Sequence, residues 1–80
     1  MRNKIMIKLS ELKPGQRAVI KGFTNAETYL KLIEMGCVPG EDVLLVQKAP
    51  FGDPISVKVS GYLLSLRLNE AEGIEVDLID

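Results

Sequence analysis

The sequence predicts a mainly β chain: a small, partly open barrel of five strands, with one α-helix near residues 25–35 and single helical turns near 10–13 and 69–72. Three observations predict it. Apolar and polar residues alternate in short runs, as in Ile55, Val57 and Val59 against Ser56, Lys58 and Ser60, which is the period of a half-buried strand. Turn signals (Pro14-Gly15, Pro39-Gly40 and Ser60-Gly61) separate the runs. Helical spacing is confined to one stretch, so no α/β crossover pattern is present. Short strands with frequent turns favour closure of a sheet on itself. Eighty residues make one domain, spanning 1–80.

Each element has its own warrant. Ile5 and Ile7 frame a short strand or extended lead-in. Ser10 is placed to cap one helical turn, with Leu9 and Leu12 inward. Pro14-Gly15 suits a type II turn, because proline pre-sets φ and glycine supplies φ > 0. Gln16 to Gly22 reads as a strand with Ala18 and Ile20 on one face. Thr24-Asn25-Ala26-Glu27 matches a capping box. Ala26, Tyr29, Leu30 and Ile33 follow at helical spacing, with Glu27 and Lys31 as an outer i,i+4 pair, and Gly36 stands where a helix-ending glycine belongs. Asp42 to Lys48 has four central apolar residues, so both its faces are expected to be covered. Pro50-Phe51-Gly52-Asp53-Pro54 is a loop, since such a run does not fit a central strand. Tyr62, Leu64, Leu66 and Leu68 alternate in a return strand. Asn69 is placed to cap a turn ending at Gly73, and Ile74, Val76 and Leu78 form the last strand.

Composition narrows the chemistry. The chain has no histidine and a single cysteine, Cys37. Thiolate and imidazole sites for transition metals are therefore hard to assemble, as are Ser-His and Cys-His nucleophile pairs. No apolar run approaches the ~20 residues of a membrane span, and Met1 to Leu12 lacks a signal-peptide core, so a cytoplasmic location is expected. Net charge is −1, yet residues 1–31 carry +5 and residues 32–80 carry −6. Either the barrel interleaves these halves, or it keeps a basic side and an acidic side. The seven glycines are spaced singly, which disfavours a phosphate loop. Four scattered aromatic rings on a net acidic chain disfavour proline-rich-peptide and single-stranded nucleic acid binding.

What remains points to binding rather than catalysis. Phe51 lies in a surface loop stiffened by two prolines, and is either folded back onto the barrel or offered to a partner. Met35, at the helix end, and Tyr62, at the hairpin, are the next candidate partner-binding residues. Met35 and Cys37 are soft ligands in principle, but read better as core plugs. Glu41-Asp42 and the set Glu70, Glu72, Glu75 and Asp77 read as solvated edges, or as a weak all-oxygen cation site. Arg67 reads as a salt-bridge residue. No catalytic residue is assigned.

The ordered set Leu9-x-x-Leu12-x-Pro14-Gly15, Leu30 through Met35-Gly36-x-x-Pro39-Gly40, Pro50-Phe51-Gly52-Asp53-Pro54-Ile55, Gly61, Leu66-Arg67 and Glu70-Ala71 resembles the FeoA family of ferrous iron transport proteins. It is also similar to the C-terminal module of metal-dependent transcriptional repressors. The resemblance covers essentially the whole chain. It implies an SH3-like barrel in the cytoplasm, with no enzymatic activity. The implied partner is FeoB, a membrane iron permease with a cytosolic GTP-binding domain. It also implies a role with a transition metal ion, iron; without histidine and with one cysteine, the residues themselves lead us to expect no tight site in one chain, only weak iron binding. The alternative it implies is a metal-responsive sensor or repressor-type module.

Overall fold

The computed structural model describes residues 5–79. Arg2, Lys4 and Asp80, three of the charges counted above, lie outside these residues, as do the ends of the 1–80 domain assignment. The strands are β1 (Met6–Lys8), β2 (Arg17–Phe23), β3 (Asp42–Lys48), β4 (Ile55–Val59), β5 (Tyr62–Leu66) and β6 (Ile74–Ile79). Helix α1 (Ala26–Glu34) follows β2, α2 (Leu68–Glu72) follows β5, and a 3₁₀ turn (Leu9–Glu11) follows β1. One antiparallel sheet runs in the order β1-β6-β2-β3-β4-β5. The expected lead-in at Ile5–Ile7 is thus a sixth strand, because Met6, Ile7 and Lys8 pair with Asp77, Val76 and Glu75 of β6. Three residues are too few to declare a strand without the partner that pairs them.

The expected alternation builds the core. Ala18, Ile20, Val43, Leu45, Ile55, Val57, Val59, Leu66, Ile74 and Val76 are all buried inside the curled sheet. Register shifts between Ile20 and Gly22 on β2 and between Leu45 and Gln47 on β3 bend the strands, as bulges do. The second shift corrects one expectation. β3 is not covered on both faces: Leu44 is half-buried and Val46, at the bulge, is 41% exposed. The Pro-Gly turns form as expected, with Gly15 at φ 91 and Gly40 at φ 97 closing Lys13–Gln16 and Val38–Glu41. At the β4–β5 hairpin both Ser60 (φ 52) and Gly61 (φ 82) are left-handed, the geometry of a type I′ turn.

Helix α1 departs from the reading of its face. Its C-terminus is a Schellman motif: the Gly36 amide donates to the Ile33 carbonyl at 3.0 Å and the Cys37 amide to the Leu32 carbonyl at 2.9 Å. This motif commonly pairs the side chains at its two ends, and here Leu32 and Cys37 are both 0% exposed. Leu32 is therefore the fully buried residue of the helix, while Leu30 is 67% exposed. Tyr29 is only partly covered, its ring edge-on to Phe23 at 5.2 Å. The cap is also shifted by one residue. Asn25 Oδ1, not Thr24, accepts from the first turn, taking the Glu27 amide at 2.8 Å. Thr24 instead extends the sheet, donating its amide to the Gly73 carbonyl at 2.9 Å.

The two short helical pieces are capped by glutamates reaching back, not by Ser10 or Asn69. Glu11 Oε1 accepts from the Lys8 amide at 2.8 Å, and Glu70 Oε1 from the Arg67 amide at 2.9 Å. Each acid stands at the third helical position, where its carboxylate satisfies an otherwise unpaired amide. Lys31 does not pair with Glu27. Its Nζ lies 2.8 Å from Oε2 of Glu70, tying α1 to α2. With Arg17–Asp42 at 3.1 Å, this pair joins the basic first half to the acidic second half, so the halves interleave. The Lys31 hydrogen bond, then the Arg67 amide, hold the Glu70 carboxyl below its ordinary pKa.

Two outcomes follow from α1. Leu32→Ala should destabilise the domain by about 2–5 kcal/mol, whereas Leu30→Ala should stay within about 0.5 kcal/mol; chemical denaturation of both variants checks this. Glu70→Gln should cost roughly 1 kcal/mol at neutral pH, because Lys31 is largely exposed and solvent screens the pair. Since folding lowers the Glu70 pKa, the unfolded chain takes up the proton first as pH falls. The stabilisation is present above the unfolded value of about 4.3 and is lost as pH drops through the folded value. The stability gap between wild type and Glu70→Gln should therefore close in acid, as pH-resolved unfolding measures.

Candidate functional site

The loop between β3 and β4 presents the least covered large hydrophobic side chain of the described residues. Ala49, Pro50, Phe51 and Gly52 form a tight turn in which the Gly52 amide donates to the Ala49 carbonyl at 2.7 Å. Proline at the second position and glycine at the fourth are the residues such a turn favours. The loop base is closed by the Ala49 amide on the Pro54 carbonyl at 3.0 Å. Asp53 ties the loop sideways: its Oδ1 accepts from the Leu68 amide at 3.0 Å and lies 4.0 Å from Arg67 Nη1. That contact gives Arg67 the salt-bridge role read from the sequence. The backbone is held at three places, and the Phe51 ring stands on it 98% exposed. Of the two fates open to Phe51, folded back or outward, the structure has the second.

The other two candidate residues lie elsewhere. Tyr62 opens β5 opposite Val59 and is 72% exposed. The Phe51 loop leads into β4 at Ile55, the far end of that strand. Four residue steps of about 3.3 Å separate the two ends, so Phe51 and Tyr62 do not share one patch. Met35 is half-buried against the core at the end of α1. Beyond Phe51 and Tyr62, the most exposed large apolar residues are Leu63 and Leu30, at 68% and 67%. Leu63 stands on the outer face of β5 beside Ser65, whereas helical spacing puts Leu30 inward. The signal for Leu30 was the Leu32–Gly36–Cys37 spacing of a Schellman end, which fixes Leu32 inward and turns Leu30 away.

The remaining side chains offer little chemistry. Cys37 is buried, and burial, with the Glu70 charge adding to it, pushes its thiol up to about 11. A thiol protonated at neutral pH is a poor nucleophile and a poor ligand. Among the described residues no three acidic or cysteine side chains converge on one point. Glu70 is spent on Lys31, and Asp77 accepts from the Ile5 amide at 3.2 Å. A hollow of about 400 Å³ between Arg17, Asp42, Leu44, Lys58 and Gly61 is an open groove, with Arg17 already paired to Asp42.

Comparison with known proteins gives this architecture a family. A model of the FeoA domain matches residues 7–78. The chain is 40% identical over 74 residues to an Fe(2+) transport protein A/Fe(2+) transporter FeoB fusion protein of Porphyromonas gingivalis, covering 91% of this chain and 9% of that protein. It thus spans under a tenth of that relative. The solution structure of iron(II) transport protein A from Clostridium thermocellum superposes with a TM-score of 0.85 at 46% identity, over 91% of this chain and 46% of that one. A manganese-dependent transcriptional repressor superposes with a TM-score of 0.85 at 15% identity, over 99% of this chain and 45% of that one, a likeness of fold alone. With its SH3-like barrel and a family match that runs through nearly every described residue, the chain belongs to the FeoA domain family.

Proposed function

We propose that this chain is a small, non-enzymatic accessory protein of ferrous iron uptake. It binds the cytosolic portion of an FeoB-type membrane permease and presents the Phe51 loop as its anchor. One observation carries the reading: in the Porphyromonas gingivalis relative, a domain 40% identical to this chain is fused to an FeoB transporter. Fusion holds two modules at a high effective concentration. Fused or not, the two modules act on one another only through a contact surface. Phe51 suits such a surface. A large aromatic contributes much area per ordered rotor, and a backbone held before contact loses little entropy on binding.

In this reading the chain works in the cytoplasm and is recruited to the inner face of the membrane by its partner. No helix among the described residues is long and apolar enough to cross a membrane. Iron is the cargo of the system. The chain itself holds it weakly or not at all, since a protonated, buried Cys37 and dispersed carboxylates are a poor donor set.

Two measurements test this. Phe51→Ala should leave thermal unfolding nearly unchanged, because no cavity is made, and should weaken the complex with the permease's cytosolic portion by about 1–2 kcal/mol. A pull-down with quantified binding decides it: unchanged affinity removes Phe51 from the interface, and no binding by wild type removes the permease reading. Anaerobic titration calorimetry with Fe(II) should give no tight one-to-one complex of the single chain. A submicromolar complex would favour a metal-responsive module instead.

A further inference from the structure

An open sheet has two edges, and each edge offers backbone N–H and C=O groups to any strand that fits. Here the edges are β1 and β5, and they are protected unequally. β1 is three residues long and ends in Lys8, whose amide is taken by Glu11. β5 is Tyr62-Leu63-Leu64-Ser65-Leu66. It carries no charge, no proline and no glycine. Its register with β4 runs without a shift from Ile55↔Leu66 to Val59↔Tyr62, whereas β2–β6 and β3–β4 are both interrupted. Among the described residues β5 pairs with β4 alone. Tyr62 and Leu63 are 72% and 68% exposed. The usual edge defences of charge, proline, bulge and shortness are all missing.

We propose that β5 is a self-association edge, pairing antiparallel with β5 of a second copy about a two-fold axis at Leu64. The sequence of the strand is complementary to itself under that operation. Leu64 meets its own copy, Tyr62 meets Leu66 of the second copy, and Leu63 meets Ser65 of the second copy. Apolar residues thus meet apolar or small neutral ones on both faces, and no like charges oppose each other. The first charge beyond the strand, Arg67, stands opposite Gly61 of the second copy. An uncharged edge selects an uncharged strand, and the chain supplies one itself in the isologous arrangement of two-fold dimers. Two five-residue strands cover less than a standard interface, so the dimer depends on concentration. This inference is independent of the permease reading.

Sedimentation velocity over a concentration series, with backbone amide NMR on the same samples, tests it. The expected result is a monomer–dimer equilibrium half-dissociated at on the order of 100 μM, with concentration-dependent amide shifts centred on residues 62–66. Ser65→Lys, at an exposed outer-face position, should weaken dimerisation by about tenfold or more while the melting temperature holds. Leu63→Lys, on the same face, should act likewise, and Leu30→Lys on the exposed side of α1 should not. A chain monomeric up to about 1 mM, a dimer that both β5 variants leave intact, or a dimer that Leu30→Lys abolishes would each overturn the proposal. The last result would assign association to the helix instead.

Discussion

Glu70 is a carboxylate only 8% exposed, and a buried charge is costly unless it is paired and hydrogen-bonded. Both its oxygens are satisfied, one by Lys31 Nζ and one by the Arg67 amide. The placement of both helices depends on this pair of contacts. The Arg67 bond starts α2, which packs on the 3₁₀ turn, with Leu9 and Ala71 fully buried. The Lys31 bond fixes which way α1 is rotated. With Lys31 turned to Glu70 and Leu32 drawn inward by the Schellman end, Leu30 has no direction left but outward. A helix of nine residues is too short to be stable by itself, so these two tertiary anchors define it.

The strands were legible because their information is local. A period of two, broken by proline and glycine, needs no distant residue to be interpreted. The α1 face was not legible, because its rotation is set by Glu70, 39 positions beyond Lys31, and by a backbone motif at Gly36. The same holds for β1, whose partner β6 lies at the other end of the chain. Val46 was misread because a bulge changes the facing of a strand without changing its composition. Thr24 lost the cap to Asn25 because the sheet claimed its amide through Gly73.

The candidate site was legible in part, for the same reason. Two prolines and a glycine place Phe51 in a stiff loop on local grounds alone. Its direction depends on Asp53 reaching the Leu68 amide, a contact between segments that the sequence does not align. The consequence is a division of labour within one small barrel. The inner face of the sheet supplies the stability, while the Phe51 loop, the β5 edge and Leu30 on α1 carry the most exposed apolar groups at separate places.

The proposed docking through the Phe51 loop is tested most directly by a backbone amide NMR titration of the chain with the cytosolic portion of an FeoB-type permease. The account predicts that the largest perturbations fall on residues 49–54, and on Leu68 through its bond to Asp53, with the Leu32 and Val57 amides little changed. Perturbations confined to α1 or β5, or none at saturating partner, would contradict it.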